Sequence, residues 1–311
     1  MLPKSPSALQ RLAARFASAC VDLGAALLGR RVRLKDAPWL ECPLGPDEHI
    51  GPQFYDWLAA NEELEIRPEA SCGLLRSFED LRGPQFNPDH VARPIRDFYE
   101  QTARHELDAW SETRLGLRIG LWCLTHFVSH SIDQFNFPLS AMELSRGMTS
   151  EVLPMVERSS GKHRYTGWLR RRAVDGRVLY AGLYSAAPAP GYGSPCVKVS
   201  FPVPRGSIVV FLRPEAMPDG SFKLISAGSK FGDIGFYRLV RSRDGWDVVY
   251  LPWLKEEFHL YVKDGFVRTD HAVRIGKIDI FRLHYKIRRL HPEEEASEAD
   301  AVAAAQARSG V

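Results

Sequence analysis

The sequence lacks the short motifs that would name a reaction. It has no GxSxG elbow, no GxxxxGK[ST] loop, no GxGxxG after a strand and no kinase signature. The common serine-hydrolase, phosphate-loop, dinucleotide and kinase geometries therefore have no local scaffold. Neither HExxH nor CxxC occurs, which removes the familiar metalloprotease and thioredoxin-like arrangements. The five cysteines, Cys20, Cys42, Cys72, Cys123 and Cys196, are odd in number and scattered. Free thiols in a reducing compartment are the simplest reading, and with it a cytoplasmic location. Acidic residues are plentiful, but nothing pairs them for glycoside chemistry. No apolar run is long enough to span a bilayer, and a net charge of +3 is too small to imply a polyanionic partner. Since triads assemble across distant positions, the enzyme question stays open.

What is present is an ordinary globular composition, 45% apolar and 25% charged over 311 residues, enough to bury a substantial core. Near the N-terminus Lys4, Arg11 and Arg15 precede an apolar run from Phe16 to Leu28. Asp22 interrupts that run, and "LLGRRVRLK" follows in place of a cleavage site. Leu9, Leu12, Phe16, Cys20, Leu23 and Leu27 form one stripe of a retained helix. The expectation is a helix packed on its own domain. Peripheral membrane contact through residues 7–28 is the alternative, as for a basic amphipathic helix.

Composition divides the chain near residue 150 into three parts: a mainly helical segment 1–150, an antiparallel β region 151–290, and an acidic, Ala-rich tail 291–311 read as disordered. Upstream, "FYDWLAANEELE" suits a short helix. A second helix starts at Arg93–Pro94, with Ile95, Phe98, Tyr99, Thr102, Leu107 and Trp110 along one side, and a third spans about 115–130. Downstream, Asp-Gly occurs at 175–176, 219–220, 244–245 and 264–265 between strand-like runs, and Gly276-Lys277 adds a fifth hairpin turn. The fold class expected is α+β: a helical N-terminal half packed on an antiparallel, calycin-like up-and-down β-barrel or strongly curled sheet.

Two-residue turns fix register. A turn at Asp264-Gly265 places Leu260 opposite Thr269 and Phe258 opposite His271. An uninterrupted pairing across Gly276-Lys277 then places Val273 opposite Ile280, His271 opposite Arg282 and Thr269 opposite His284. One face would carry Phe258, Leu260, Val273 and the ionisable group Glu256, His271, Arg282 and His284, with Thr269. Phe281, Leu283, Tyr285 and Ile287 would lie on the other face, beneath a helix. A buried, unpartnered arginine is prohibitive. Arg282 therefore pairs with Glu256, or it meets an anionic ligand, or His271 and His284 act as acid–base groups. The functional expectation is binding of a small amphipathic or lipid-like anionic molecule in this cavity, with no metal or other cofactor. Arg282 would meet the head, Thr269, His271 and His284 would hydrogen-bond it, and Phe258, Leu260 and Val273 would line the tail site. The alternatives are an enzyme (hydrolase or isomerase/cyclase) using His271 and His284, and the membrane-surface module.

Other features carry less. His126 and His130 stand at i and i+4 with Asp133 near, a weak metal signal. "SAGSKFGDIGF" lies between strands and reads as a loop at the cavity mouth rather than a phosphate cradle. "RSSGKHRYTGWLRRR" mixes cations and aromatics, but strand alternation explains it without nucleic acid. The stretches "ARPIRDFYEQTARHELDAW", "GSKFGDIGFY" and "EEFHLYVKDGFVRTDHAVRIGKIDIFRLHYKI" resemble a group of uncharacterised bacterial YndJ-like proteins over roughly residues 90–287. That resemblance implies a recurring helical-then-β unit. It carries over no activity and no catalytic residue, and His126 and His130 have no identified counterpart in the group.

Overall fold

The computed structural model describes residues 19, 23–25, 27–47, 49–113, 129, 133–136, 147–243 and 245–290. The stripe residues Leu9, Leu12, Phe16 and Cys20, the helix expected at 115–130 apart from Ser129, His126 and His130, and the 291–311 tail lie outside them.

Alternating apolar and polar residues downstream of position 147 form a long series of strands, as period-two patterning requires. These are β4 (Met148–Glu157), β5 (His163–Arg172), β6 (Val178–Ala189), β7 (Tyr192–Val203), β8 (Gly206–Ala216), β9 (Phe222–Ile225), β10 (Gly235–Ser242), β11 (Gly245–Tyr250), β12 (Leu254–Lys263), β13 (Phe266–Ile275) and β14 (Ile278–Arg289). The upstream region adds β1 (Arg30–Val32), β2 (Leu64–Ile66) and β3 (His105–Thr113) to the same sheet, together with helices α1 (Phe54–Asn61) and α2 (Arg93–Glu100). Strands from both sides of residue 150 thus share one sheet, which is mostly antiparallel β with few helices. The helix expected to run from Arg93 through Trp110 stops at Glu100, and Leu107 and Trp110 belong to β3.

The main path runs β2-β4-β5-β6-β7-β8-β9-β12-β13-β14-β3, and its two end strands are not paired with each other. The sheet therefore curls without closing, which corrects the barrel expectation. Strands β9 and β10 together pair along β8 as if they were one strand, interrupted by the glycine-rich segment Ser226–Ile234. Beyond that interruption the sheet forks. β12 continues from β9, whereas β11 and β1 continue from β10.

Three apolar clusters follow from this geometry. On the outer face of β4–β6, α1 packs Phe54, Tyr55 and Leu58 against Met155, Leu169 and Leu183. Gly167 makes that approach possible, since a Cβ there would fall 2.4 Å from the Tyr55 ring. The segment around Trp39 covers the branch, packing on Phe211 and Tyr237. The concave inner face is filled from one side by α2 and residues 72–91, with Phe78, Phe86, Tyr99 and Phe222 in mutual edge contacts.

The β12–β13 turn has positive φ at both Asp264 (55°) and Gly265 (78°), as a type I′ hairpin demands. Its register is the expected one, with Phe258 opposite His271 and Leu260 opposite Thr269. The next hairpin starts as expected, Ile275 opposite Ile278 and Arg274 opposite Asp279. A β-bulge then intervenes: Val273 pairs with Phe281, leaving Ile280 as the extra residue. Every later residue of β14 is turned to the opposite face from that expected.

Candidate ligand cavity

The bulge decides which side chains reach the interior. Leu283 and Ile287 are buried on the concave face, and Tyr285 lines the cavity there. Arg282 and His284 face outward and do not line the cavity, which corrects the expectation that they point into it. Arg282 is half exposed and donates to Asp279 at 2.9 Å. His284 hydrogen-bonds Asp270 at 2.7 Å and stacks on Trp110 of β3. Arg282 does not pair with Glu256, whose partner is His271.

The remaining expected residues do meet. Glu256, Phe258 and Leu260 from β12 and Thr269 and His271 from β13 line one wall of an interior cavity of about 90 Å³. Val273 is buried on the same face but does not line the cavity. His271 Nε2 hydrogen-bonds Glu256 Oε1 at 2.6 Å, with both side chains nearly buried. The Phe258 ring stacks on the imidazole at 3.9 Å between centroids, a cross-strand pair that holds the ring plane.

The opposite wall supplies what the sequence reading assigned to Arg282. Arg170 on β5 is buried, at 3% exposure, with its guanidinium 5.1 Å from the Trp168 ring, 5.7 Å from Tyr180 and 5.3 Å from Tyr285. It meets the hydroxyls of Tyr180 and Tyr285, and Nη2 contacts Met148 Sδ at 3.3 Å. Among the described residues no carboxylate pairs with it, and its Nε is buried without a hydrogen-bond partner. Cation–π contact on three sides offsets part of the desolvation cost, yet a buried guanidinium retains donors suited to an anion. Burial raises the hydroxyl pKa of Tyr180, Tyr184 and Tyr285, so all three stay protonated as hydrogen-bond donors at neutral pH.

Arg170 was legible as part of "WLRRR", whose alternation places Trp168 and Arg170 on one face and Arg171 on the other. The neighbouring cations are engaged at the surface, Arg164 with Glu41, Arg171 with Glu151 and Arg172 with Asp175. Arg170 alone of the three consecutive arginines points inward.

A second, open cleft of about 710 Å³ lies beside the glycine-rich interruption, between the β6–β7 turn and the end of β8. Its charged groups are satisfied internally. Arg213 meets Glu215, and the Asp233 carboxylate accepts from Ser229 N, Ser229 Oγ and Lys230 N, which together hold it below the usual carboxylate range. Asp133 is buried and accepts from Asn136 Nδ2 and Val178 N. Among the described residues no group of His, Cys, Asp and Glu is arranged to hold a metal ion. No helix among them is long and apolar enough to cross a membrane.

The class defined by these features is an antiparallel β protein whose sheet curls, without closing, around an aromatic cavity that carries a buried cation. Among curated proteins the chain is similar to the "Uncharacterized membrane protein YndJ" of Bacillus subtilis (strain 168), 27% identical over 250 residues. The match covers 78% of this chain and 42% of that protein, so the chain spans less than half of the relative's length. No family model matches the chain, and no solved structure matches it.

Proposed function

We propose that the chain binds a small amphipathic anion in the interior cavity, a calycin-like use of a curled antiparallel sheet. The observation that carries the reading is Arg170, a buried guanidinium with no carboxylate partner among the described residues and an orphaned Nε. Its planar donors suit a carboxylate. Tyr180, Tyr184 and Tyr285 supply further donors, and Phe258 and Leu260 supply the apolar wall. Glu256, Thr269 and His271 are the polar groups retained from the expected site, with the Glu256 carboxylate engaged by His271.

Size narrows the ligand class. A cavity of about 90 Å³ favours a carboxylate of a few carbons over a long acyl or isoprenoid tail. Calorimetric titration with straight-chain carboxylates from formate to hexanoate tests this. Affinity should rise with chain length, then fall once the tail exceeds the cavity. Arg170→Met should abolish the heat of binding while leaving the protein folded, because a well-packed apolar side chain replaces a buried charge at little cost in stability. No binding by the wild type would remove the proposal.

The Glu256–His271 pair favours a second reading, an enzyme in the same cavity with His271 as the base and Glu256 orienting it. His284 has no part in it, being on the other face. A small anion recovered chemically altered after incubation, with the alteration lost in His271→Gln, would select this reading over simple binding.

A further inference from the structure

The β13–β14 turn and the β11–β12 turn meet at one end of the sheet, where Gly276 N donates to Trp253 O at 2.7 Å. Three large apolar side chains are exposed there together: Trp253 at 48%, Ile275 at 44% and Ile278 at 54%. Single exposed apolar residues are ordinary, but a group at a projecting turn marks a contact surface. Lys277 stands exposed at the apex between the two isoleucines, and Lys255 is partly exposed beside Trp253. Among the described residues neither lysine makes an ion pair, whereas Arg274 and Arg282 are engaged by Asp279.

The same end receives the start of β1. Arg30 pairs with Val248, so Leu27 and Leu28, which immediately precede β1, lie toward the end of β11 that leads into Trp253. Both leucines are exposed, at 73% and 81%, as is Leu23.

We propose that this end of the molecule docks on an anionic lipid surface, with Trp253, Ile275 and Ile278 inserted at headgroup level and Lys255 and Lys277 against the phosphates. A projecting turn is convex, which suits a deformable planar interface better than a preformed protein groove. Tryptophan favours the membrane–water boundary, where its ring is apolar and its N–H remains hydrated. Unpaired lysines beside the apolar tip supply the charge complementarity to anionic headgroups. The inference does not depend on the interior cavity, because none of these residues lines it.

The test is co-sedimentation of the full chain with phosphatidylcholine vesicles and with mixed phosphatidylcholine/phosphatidylglycerol vesicles. The wild type should bind the mixed vesicles preferentially and lose affinity as salt is raised. The triple substitution Trp253→Ser, Ile275→Ser, Ile278→Ser should lower vesicle affinity by more than about tenfold at a temperature where circular dichroism shows the variant still folded. Lys255→Glu with Lys277→Glu should remove the preference for the anionic lipid. Unchanged vesicle binding by the triple variant would overturn the proposal. So would binding that survives it and is lost only in Leu27→Ser with Leu28→Ser. A wild-type dimer in light scattering that the triple variant dissolves, with no vesicle binding, would also overturn it by assigning the surface to a second copy of the chain.

Discussion

Lys198 is a second buried cation, and its chemistry differs from that of Arg170. Its ammonium donates to the carbonyls of Trp39 and Glu41 and lies over the Phe211 ring, so it fastens the Trp39 segment to the outer face of the sheet. Burial pulls its pKa down to about 8 from the ordinary 10.5. Between those values the unfolded chain binds the proton that the folded chain has released, so the contribution of Lys198 to stability rises with pH across this window. The full rise is on the order of 3 kcal/mol. The rise is opposed from about pH 8.5 upward, because burial raises the pKa of Cys42, Cys72 and Cys196 and of Tyr55, Tyr99 and Tyr180, and the unfolded chain ionises these thiols and hydroxyls first. The Lys198 contribution is therefore isolated as the stability difference between the wild type and Lys198→Met, which urea denaturation at successive pH values should show shifting in favour of the wild type between pH 8 and 10.5. A difference between the two proteins that stays constant across this window would contradict the assignment. At this scale the sequence was partly legible. Glu256, Phe258, Leu260, Thr269 and His271 meet as expected, because a type I′ turn fixes the β12–β13 register residue by residue. The buried arginine was misassigned to Arg282, because alternation separates Arg170 from Arg171 but not from Arg172, and nothing local says which face of β5 is the interior one.

The bulge in β14 accounts for the largest discrepancy among the elements. Asp279 and Phe281 pair with consecutive residues of β13, Arg274 and Val273, and Ile280 is the inserted residue. Deleting Ile280 should therefore preserve the pairing of Phe281 through Arg289 and cost little, on the order of 1–2 kcal/mol. Inserting one alanine between Phe281 and Arg282 should be far worse. It turns Leu283, Tyr285 and Ile287 outward and forfeits roughly 1.5–3 kcal/mol of burial for each. Denaturant midpoints of the two variants give the answer, and equal destabilisation would sink the bulge account. Bulges of this kind leave little trace in a sequence, since Ile280 and Phe281 both read as core. The β3 strand was more legible than its assignment suggests. "HELDAW" alternates buried His105 and partly buried Leu107 and Ala109 with exposed Glu106, Asp108 and Trp110. Leu107 and Trp110 fit a helical stripe only by coincidence of spacing. The helix ends where Thr102 turns its hydroxyl back to Phe98 O.

For the molecule as a whole, hairpin signals gave the order of β6 to β9 and of β12 to β14, because consecutive antiparallel strands need only local turns. They could not give the fork at β9 and β10 or the outer places of β2 and β3, which depend on pairings between distant residues. Closure was likewise beyond local signals. The sheet's two ends remain apart, and its curl alone brings β5 opposite β14, so that Arg170 reaches Tyr285. Native mass spectrometry of the purified chain, with the released small molecules identified after denaturation, addresses the central claim most directly. The expected result is a stoichiometric small carboxylate on the wild type that is absent from Arg170→Met. A wild-type chain that carries no anion, and takes up none when short-chain carboxylates are added in excess, would contradict the account.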